Sequence, residues 1–196
     1  MHTGSETWET ASSLLQRYRR FATGLLPVAL VAYVWLSPRP PVTAAGCGVG
    51  TGLLLAGEGL RVWAAGHMGR KREELAVSGP YGHTRHPLYL GSLMAGLGFC
   101  AASGAWWSLL LIGALFPLFY FPAMIREERA LAAHHGERYQ EYRLRVPALW
   151  WRMAAFSQGG EFSFRQAMRH KEHHYAVQLL AIMALFWLRL FVIGSG

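Results

Sequence analysis

The sequence predicts an all-α fold, a polytopic transmembrane helix bundle of about five spans with interfacial helices on the cytosolic side. Three observations predict it. Hydrophobic residues make up 53% of the 196 positions and charged residues only 15%, a balance unusual for a soluble domain. The apolar residues form long runs, several of which reach or approach the about 20 residues that cross a hydrocarbon core of ~30 Å. The basic residues flank those runs, and mostly on one side.

Residues 1–20 are polar and read as a cytosolic tail or a short interfacial helix. Glu6 and Glu9 precede Arg17, Arg19 and Arg20, and no small-residue cleavage site stands out. The first apolar run, residues 21–36, is therefore expected as a retained span rather than a signal peptide. Ser37-Pro38-Arg39-Pro40-Pro41 cannot remain helical and makes a tight turn. The second span covers residues 42–66 and carries Gly46, Gly48, Gly50, Gly52, Gly57 and Gly59. No strand precedes these glycines, which argues against a phosphate-binding loop. Small residues at four-residue spacing instead let membrane helices approach closely.

A polar loop over 67–86 leads to a third span at 87–103. Ser103-Gly104 turns the chain into a fourth span at 105–125, where Pro117 and Pro122 are expected to bend the helix. Glu127 and Glu128 are expected to begin a new helix at its end. Residues 126–152 alternate arginines with Tyr139, Tyr142, Leu144, Val146, Leu149 and Trp150, and read as an amphipathic helix on the membrane surface. After a polar stretch at 157–174, residues 175–193 are long enough for a fifth span.

With the N-terminus in the cytosol, 16 of the 19 Lys and Arg fall on the inner side, as the positive-inside rule requires. The expected location is a bacterial cytoplasmic membrane, with the N-terminus and the site in the cytosol. The formal net charge of +8 then reads as facing anionic lipid, and no nucleic-acid partner is expected. Cys47 and Cys100 lie inside apolar runs and read as small buried hydrophobes rather than a disulfide.

The densest chemistry lies in Gly79-Pro80-Tyr81-Gly82-His83-Thr84-Arg85-His86-Pro87-Leu88-Tyr89. Pro87 suits the first turn of a helix, where its missing N–H costs nothing. His86 is thereby fixed at the membrane boundary, with Tyr89 one turn deeper. A helical hairpin through the third and fourth spans returns Glu127 and Glu128 to the same boundary. An interfacial belt of Tyr, His and Arg is the plain alternative for the first motif, and dipole compensation the plain alternative for the acids. Together they make a pocket suited to a zwitterionic or cationic ligand.

Gly79, Pro80, Tyr81, Arg85, His86, Pro87, Tyr89 and Gly91, followed by Glu127, Glu128, Leu131, Gly136, Tyr139, Tyr142, Val146 and Pro147, resemble the isoprenylcysteine carboxyl methyltransferases and their phospholipid methyltransferase relatives. The resemblance covers roughly residues 58–150. Length allows a single membrane domain over 1–196; the resemblance implies a catalytic core over 58–150, and the C-terminal extension over 151–196 with the expected fifth span lies outside it. The resemblance further implies an integral-membrane enzyme that carries a methyl group from S-adenosyl-L-methionine to a lipophilic acceptor. The acceptor would enter laterally from the bilayer between the fourth and fifth spans.

By position, the resemblance implies cofactor contacts from Tyr81, His86, Pro87, Leu88, Tyr89, Glu127 and Glu128, and from the loop Glu73, Glu74, Leu75 and Ala76. His67 borders that loop. Arg85, His86 and Glu127 are the expected catalytic set. The aromatic rings can stack on adenine or face the sulfonium, Glu127 can accept from ammonium or ribose, and Arg85 or His86 can meet the carboxylate. The prenylcysteine branch has an arginine one turn before the first acid, where this chain has Ala123.

Alternatives stay open at this point: an ethanolamine-type phospholipid N-methyltransferase, or a non-catalytic membrane scaffold or transport protein. Glu58 and Arg61, one turn apart within the second span, read either as a substrate-lining pair or as a local ion pair. His170 and His174 are at metal-binding spacing, but no third ligand is evident and no metal is expected.

Overall fold

The computed structural model describes residues 28–36, 42–68, 75–156, 161–169 and 172–194. Helix α1 covers residues 28–36. It is followed by α2 (Ala44–His67), a 3-10 turn (Gly79–Gly82), α3 (Pro87–Ser103), α4 (Trp107–His135), α5 (Glu137–Arg145), α6 (Phe164–Arg169) and α7 (Glu172–Gly194). Every regular element among the described residues is helical. The N-terminal tail, the start of the first run, the proline turn, Glu73, Glu74 and His170 lie outside the described residues, as do the side chains of His173 and His174.

The helix ends follow local chemistry. Thr43 Oγ1 accepts from the Gly46 amide at 3.0 Å and caps α2. Pro87 opens α3, and Gly104 closes it at φ +64 in the left-handed region. Gly136, at φ +54, separates α4 from α5.

The broadest helix–helix interface joins α2 to α3, and glycines make it. A Cβ on Gly98 would sit 2.6 Å from the Gly50 carbonyl oxygen. A Cβ on Gly57 would sit 2.6 Å from that of Gly91, and one on Gly46 2.7 Å from that of Ala101. Small residues thus bring two backbones into contact, as the sequence spacing suggested. Only half of the glycine run takes part, because Gly48, Gly52 and Gly59 have open space beside them.

Helix α7 packs on α2 and α3. Leu30 and Val34 of α1, Cys47 and Leu54 of α2, Ala95, Phe99 and Ala102 of α3, and Leu179, Met183 and Phe186 of α7 form one buried core. Helix α4 leans on α3, where Ile112 lies against Gly96, and on α5. Among the described residues it has no broad interface with α7.

Three expectations are corrected. Glu127 and Glu128 do not begin a helix: α4 runs unbroken through Pro117, Pro122 and both acids to His135. The charged stretch 126–135 is rich in Ala, Leu, Glu and Arg, all strong helix formers. The surface helix ends at Arg145, and residues 146–156 run without regular structure. The apolar face of α5 also does not face the bilayer. Tyr139, Tyr142 and Val146 bury themselves with Leu75.

One described helix, α4, is long and apolar enough to cross a membrane. Pro87–Ser103 and the Ala176–Val192 stretch of α7 are shorter apolar helices. A full set of five crossings is not established by length and composition.

Candidate active site

The site is built where α3 begins. Gly79 takes φ +57, a conformation open to glycine, and a Cβ there would lie 2.6 Å from the His67 ring. The 3-10 turn then buries Pro80 and Gly82, and Thr84 follows fully buried, with its hydroxyl donating to the Ala148 carbonyl at 2.8 Å.

Residues 147–156 form a strap along this loop. The Arg85 amide donates to Pro147 O at 2.8 Å, and the His86 amide to Ala148 O at 3.0 Å. The Arg152 amide donates to His83 O at 3.0 Å, and the Phe156 amide to Gly82 O at 2.9 Å. His83 Nδ1 lies 2.6 Å from the Arg152 carbonyl oxygen, so Nδ1 carries the proton. The His83 ring stacks on Trp151 at 4.6 Å. From the other side, the Tyr142 hydroxyl donates to Tyr81 O at 2.7 Å. The backbone carrying Tyr81 to His86 is therefore held along its length.

That backbone presents Arg85 and His86 to the middle of α4. Arg85 Nη1 lies 2.7 Å from Glu128 Oε1. His86, only 4% exposed, places Nε2 3.1 Å from the same oxygen. Arg143 of α5 approaches the second oxygen of Glu128 at 3.7 Å. One carboxylate on α4 thus gathers two guanidinium groups and an imidazole, from the flank of α3 and from α5.

Glu127 behaves differently. Its side chain is 51% exposed against 16% for Glu128, and Oε2 lies 3.9 Å from His86 Nδ1. With the Nε2 proton donated to Glu128, Nδ1 faces Glu127 across that gap, and the half-exposed carboxylate can accept an N–H or O–H donor from a bound molecule. Tyr89 lies beside His86 at 5.5 Å, meets Tyr120 edge-on at 5.3 Å, and Tyr120 stacks on Phe116 at 4.6 Å. An aromatic wall therefore runs up the α3–α4 seam from the charged cluster.

Burial pushes the Tyr139 phenol up from its ordinary value. The Glu128 charge adds to the rise and Arg85 opposes it. Burial likewise pushes the Tyr142 phenol far up, against the influence of Arg85. Both stay protonated through the physiological range, which Tyr142 needs as a donor.

Of the sequence-expected residues, the structure brings Arg85, His86, Tyr89, Glu127 and Glu128 together. Tyr81, Pro87 and Leu88 lie on the same loop and first turn, with Pro87 buried. Leu75 packs into the α5 core, and Ala76 follows half-buried. Glu58 and Arg61 sit between α2 and α3, 3.5 Å apart. Arg61 Nη1 donates to Ser92 Oγ at 2.6 Å and to Leu88 O at 3.3 Å. Gly91 gives that side chain room, since a Cβ there would lie 2.6 Å from Arg61 Cγ. Sequence reasoning missed Thr84, Ser92, Arg143 and the strap. Only Pro147, which forces the residue before it out of the helix, signalled that α5 stops there.

The residues fit a sulfonium nucleoside: a half-exposed acid can receive an ammonium or hydroxyl group, and half-buried rings stand beside it. Residues 49–138 match the phospholipid methyltransferase family, a stretch that contains the first motif and both acids. The chain is 34% identical over 97 residues to the nickel-cobalt-cadmium resistance protein NccN of Alcaligenes xylosoxydans xylosoxydans, covering 49% of this chain and 45% of that protein. It is 37% identical over 97 residues to the cobalt-zinc-cadmium resistance protein CzcN of Cupriavidus metallidurans, covering 49% and 44%. It is 32% identical over 80 residues to the protein-S-isoprenylcysteine O-methyltransferase of Schizosaccharomyces pombe, covering 40% and 34%. The chain spans less than half the length of these relatives. No solved structure matches it significantly. The motif pair and the hairpin that joins it fall in the segment that is similar to the phospholipid methyltransferase family, and part of the chain is similar to an isoprenylcysteine methyltransferase.

Proposed function

We propose that this chain is an integral-membrane methyltransferase acting at the cytosolic face on a lipophilic acceptor. The observation that carries the reading is the His86–Glu127–Glu128 cluster, assembled from α3 and α4 inside the family-matched segment. S-adenosyl-L-methionine supplies the electrophilic methyl group when bound. The five spans of this reading are the apolar run that ends in α1, then α2, α3, α4 and α7. The outward faces carry exposed Val28, Leu36, Val49, Leu55, Leu110, Leu118, Val177 and Phe191, suited to lipid rather than water.

Glu127 and His86 receive the donors of the cofactor's amino-acid or ribose part. Glu128 fixes His86 and Arg85 and so acts through them. The wall of Tyr89, Tyr120 and Phe116 guides the acceptor along the α3–α4 seam and keeps water from the reacting centre. In-line displacement gains most of its rate from alignment, and a rigid loop held by the strap provides that. Ala123, buried where the prenylcysteine branch has an arginine, leaves an acceptor carboxylate without that counter-ion. An amine or other uncharged-acceptor chemistry is therefore favoured over a prenylcysteine carboxylate.

The likeness to NccN and CzcN favours a second reading, a non-catalytic component of a metal-resistance system. Labelled-methyl transfer separates the two. The purified chain, incubated with labelled S-adenosylmethionine and bacterial lipid extract, should place label in an organic-phase product identifiable by mass spectrometry. Absence of any labelled product across lipid, amine, thiol and isoprenoid acceptors, in a folded preparation that binds the cofactor, would leave the non-catalytic reading.

A further inference from the structure

Beside the site lies a surface that the proposed chemistry does not use. Leu144, Trp150 and Met153 are 87%, 82% and 90% exposed, and Phe162 and Phe164 are exposed beyond them. A lone exposed apolar residue is ordinary; five within some twenty residues of one chain segment call for a partner. The same stretch is strongly basic. From 143 to 169 the sequence holds Arg143, Arg145, Arg152, Arg165 and Arg169 against a single acid, Glu161; Arg143 also meets Glu128 and Arg145 meets Glu141, so Arg152, Arg165 and Arg169 carry the excess. Its neighbours mark its depth. Trp151 stacks on His83 and approaches Trp63 of α2 at 6.3 Å. Phe162 lies against His67 at 5.8 Å, at the cytosolic end of α2.

We propose that residues 144–153 and α6 form an apron that docks on anionic headgroups of the cytosolic leaflet, inserting Leu144, Trp150 and Met153. This rests on the membrane placement proposed above. Arginine and tryptophan suit headgroup depth, and the excess positive charge selects an anionic over a zwitterionic surface. Nucleic acid would meet the charge, but it gives no partner to Leu144 and Met153. The apron overlaps the strap, whose Pro147, Ala148, Arg152 and Phe156 backbone groups hold residues 82–86. Docking therefore steadies the loop that presents Arg85 and His86, so that lipid composition sets how well ordered the site is.

The test uses the full chain with Met153→Cys carrying an environment-sensitive fluorophore. Cys47 and Cys100 are buried and do not compete for label. Leu144→Cys serves as a second probe should the first fold poorly. Nanodiscs of phosphatidylcholine alone are compared with phosphatidylcholine–phosphatidylglycerol mixtures. Expected are a blue shift and a severalfold rise in emission in the anionic discs, reversed by high salt and by R165Q/R169Q. Amide exchange at residues 83–86 should slow in the same discs. A dye that stays water-like in both discs overturns the proposal, as does an equal, salt-insensitive shift in both. Suppression of the response by RNA at the same ionic strength overturns lipid as the occupant, and unchanged exchange at 83–86 overturns the coupling. A chain that fails to enter neutral discs at all contradicts the membrane placement itself.

Discussion

Glu128 accepts from His86 at 3.1 Å across 42 residues of sequence, while Glu127, its neighbour on α4, stays half exposed 3.9 Å from the other ring nitrogen. Adjacent residues on a helix point about 100° apart. The two acids therefore divide into one that ties α4 to the motif loop and one that stays half open, the one assigned above to the proposed cofactor. Replacing each should give different phenotypes. Glu128→Gln weakens charge-assisted contacts to Arg85 and His86, costing about 2 kcal/mol of stability, and lowers turnover. Glu127→Gln leaves thermal unfolding close to wild type and raises the KM for the cofactor. Thermal unfolding in detergent, paired with kinetics on both variants, checks this. Equal loss of stability in the two would contradict the division.

The glycine seam predicts a sharp positional contrast. Gly98→Ala or Gly57→Ala forces a methyl group onto a facing backbone carbonyl. Overpacking of this kind costs about 1–3 kcal/mol. Gly48→Ala, Gly52→Ala and Gly59→Ala meet open space and should be neutral or slightly stabilising through helix propensity. Denaturant titration in detergent of the five variants reads the contrast directly.

Tyr142 ties α5 to the motif loop. Tyr142→Phe leaves the Tyr81 carbonyl without its donor and should cost about 1–2 kcal/mol. The alkaline limb gives a second readout. The folded-state phenol is held well above its ordinary value by burial, so its stabilisation is complete below the unfolded value of about 10 and is lost as pH rises above it. Wild-type stability should fall on crossing pH ~10, and fall less steeply in Tyr142→Phe. Tyr139, raised in the same direction, keeps the variant's slope from vanishing. Parallel slopes would show that Tyr142 does not contribute.

Thr84 tests the strap. Thr84→Val removes the hydroxyl that donates to Ala148 O while preserving shape, and should cost about 1–2 kcal/mol. If the strap orders the loop, exchange of the Arg85 and His86 amides also speeds up. A change in stability without faster exchange there would make the strap a passive contact.

Much of the hairpin was legible because it is punctuated. Pro87 and Gly104 mark the two ends of α3, and both act through local backbone geometry that sequence reveals. The meeting of His86 with the acidic pair followed from hairpin length. Which acid takes the imidazole was not legible, because it depends on the rotation of α4 about its axis. The continuation of α4 past Ile125 was hidden by the change from apolar to charged residues, a change that marks a solvent boundary rather than a helix end. The strap was hidden for another reason. Its contacts are mainly backbone N–H to C=O, and these leave no residue pattern. Arg143 joined Glu128 only because α5 folds back after Gly136.

Calorimetric titration of the detergent-solubilised chain with S-adenosylhomocysteine tests the central claim most directly. One-site binding to wild type is expected, weakened at least about tenfold, or ~1.4 kcal/mol, in Glu127→Ala and in His86→Ala, with both variants still folded. Binding that is absent from the folded wild type, or unchanged in both variants, would contradict a cofactor site between α3 and α4.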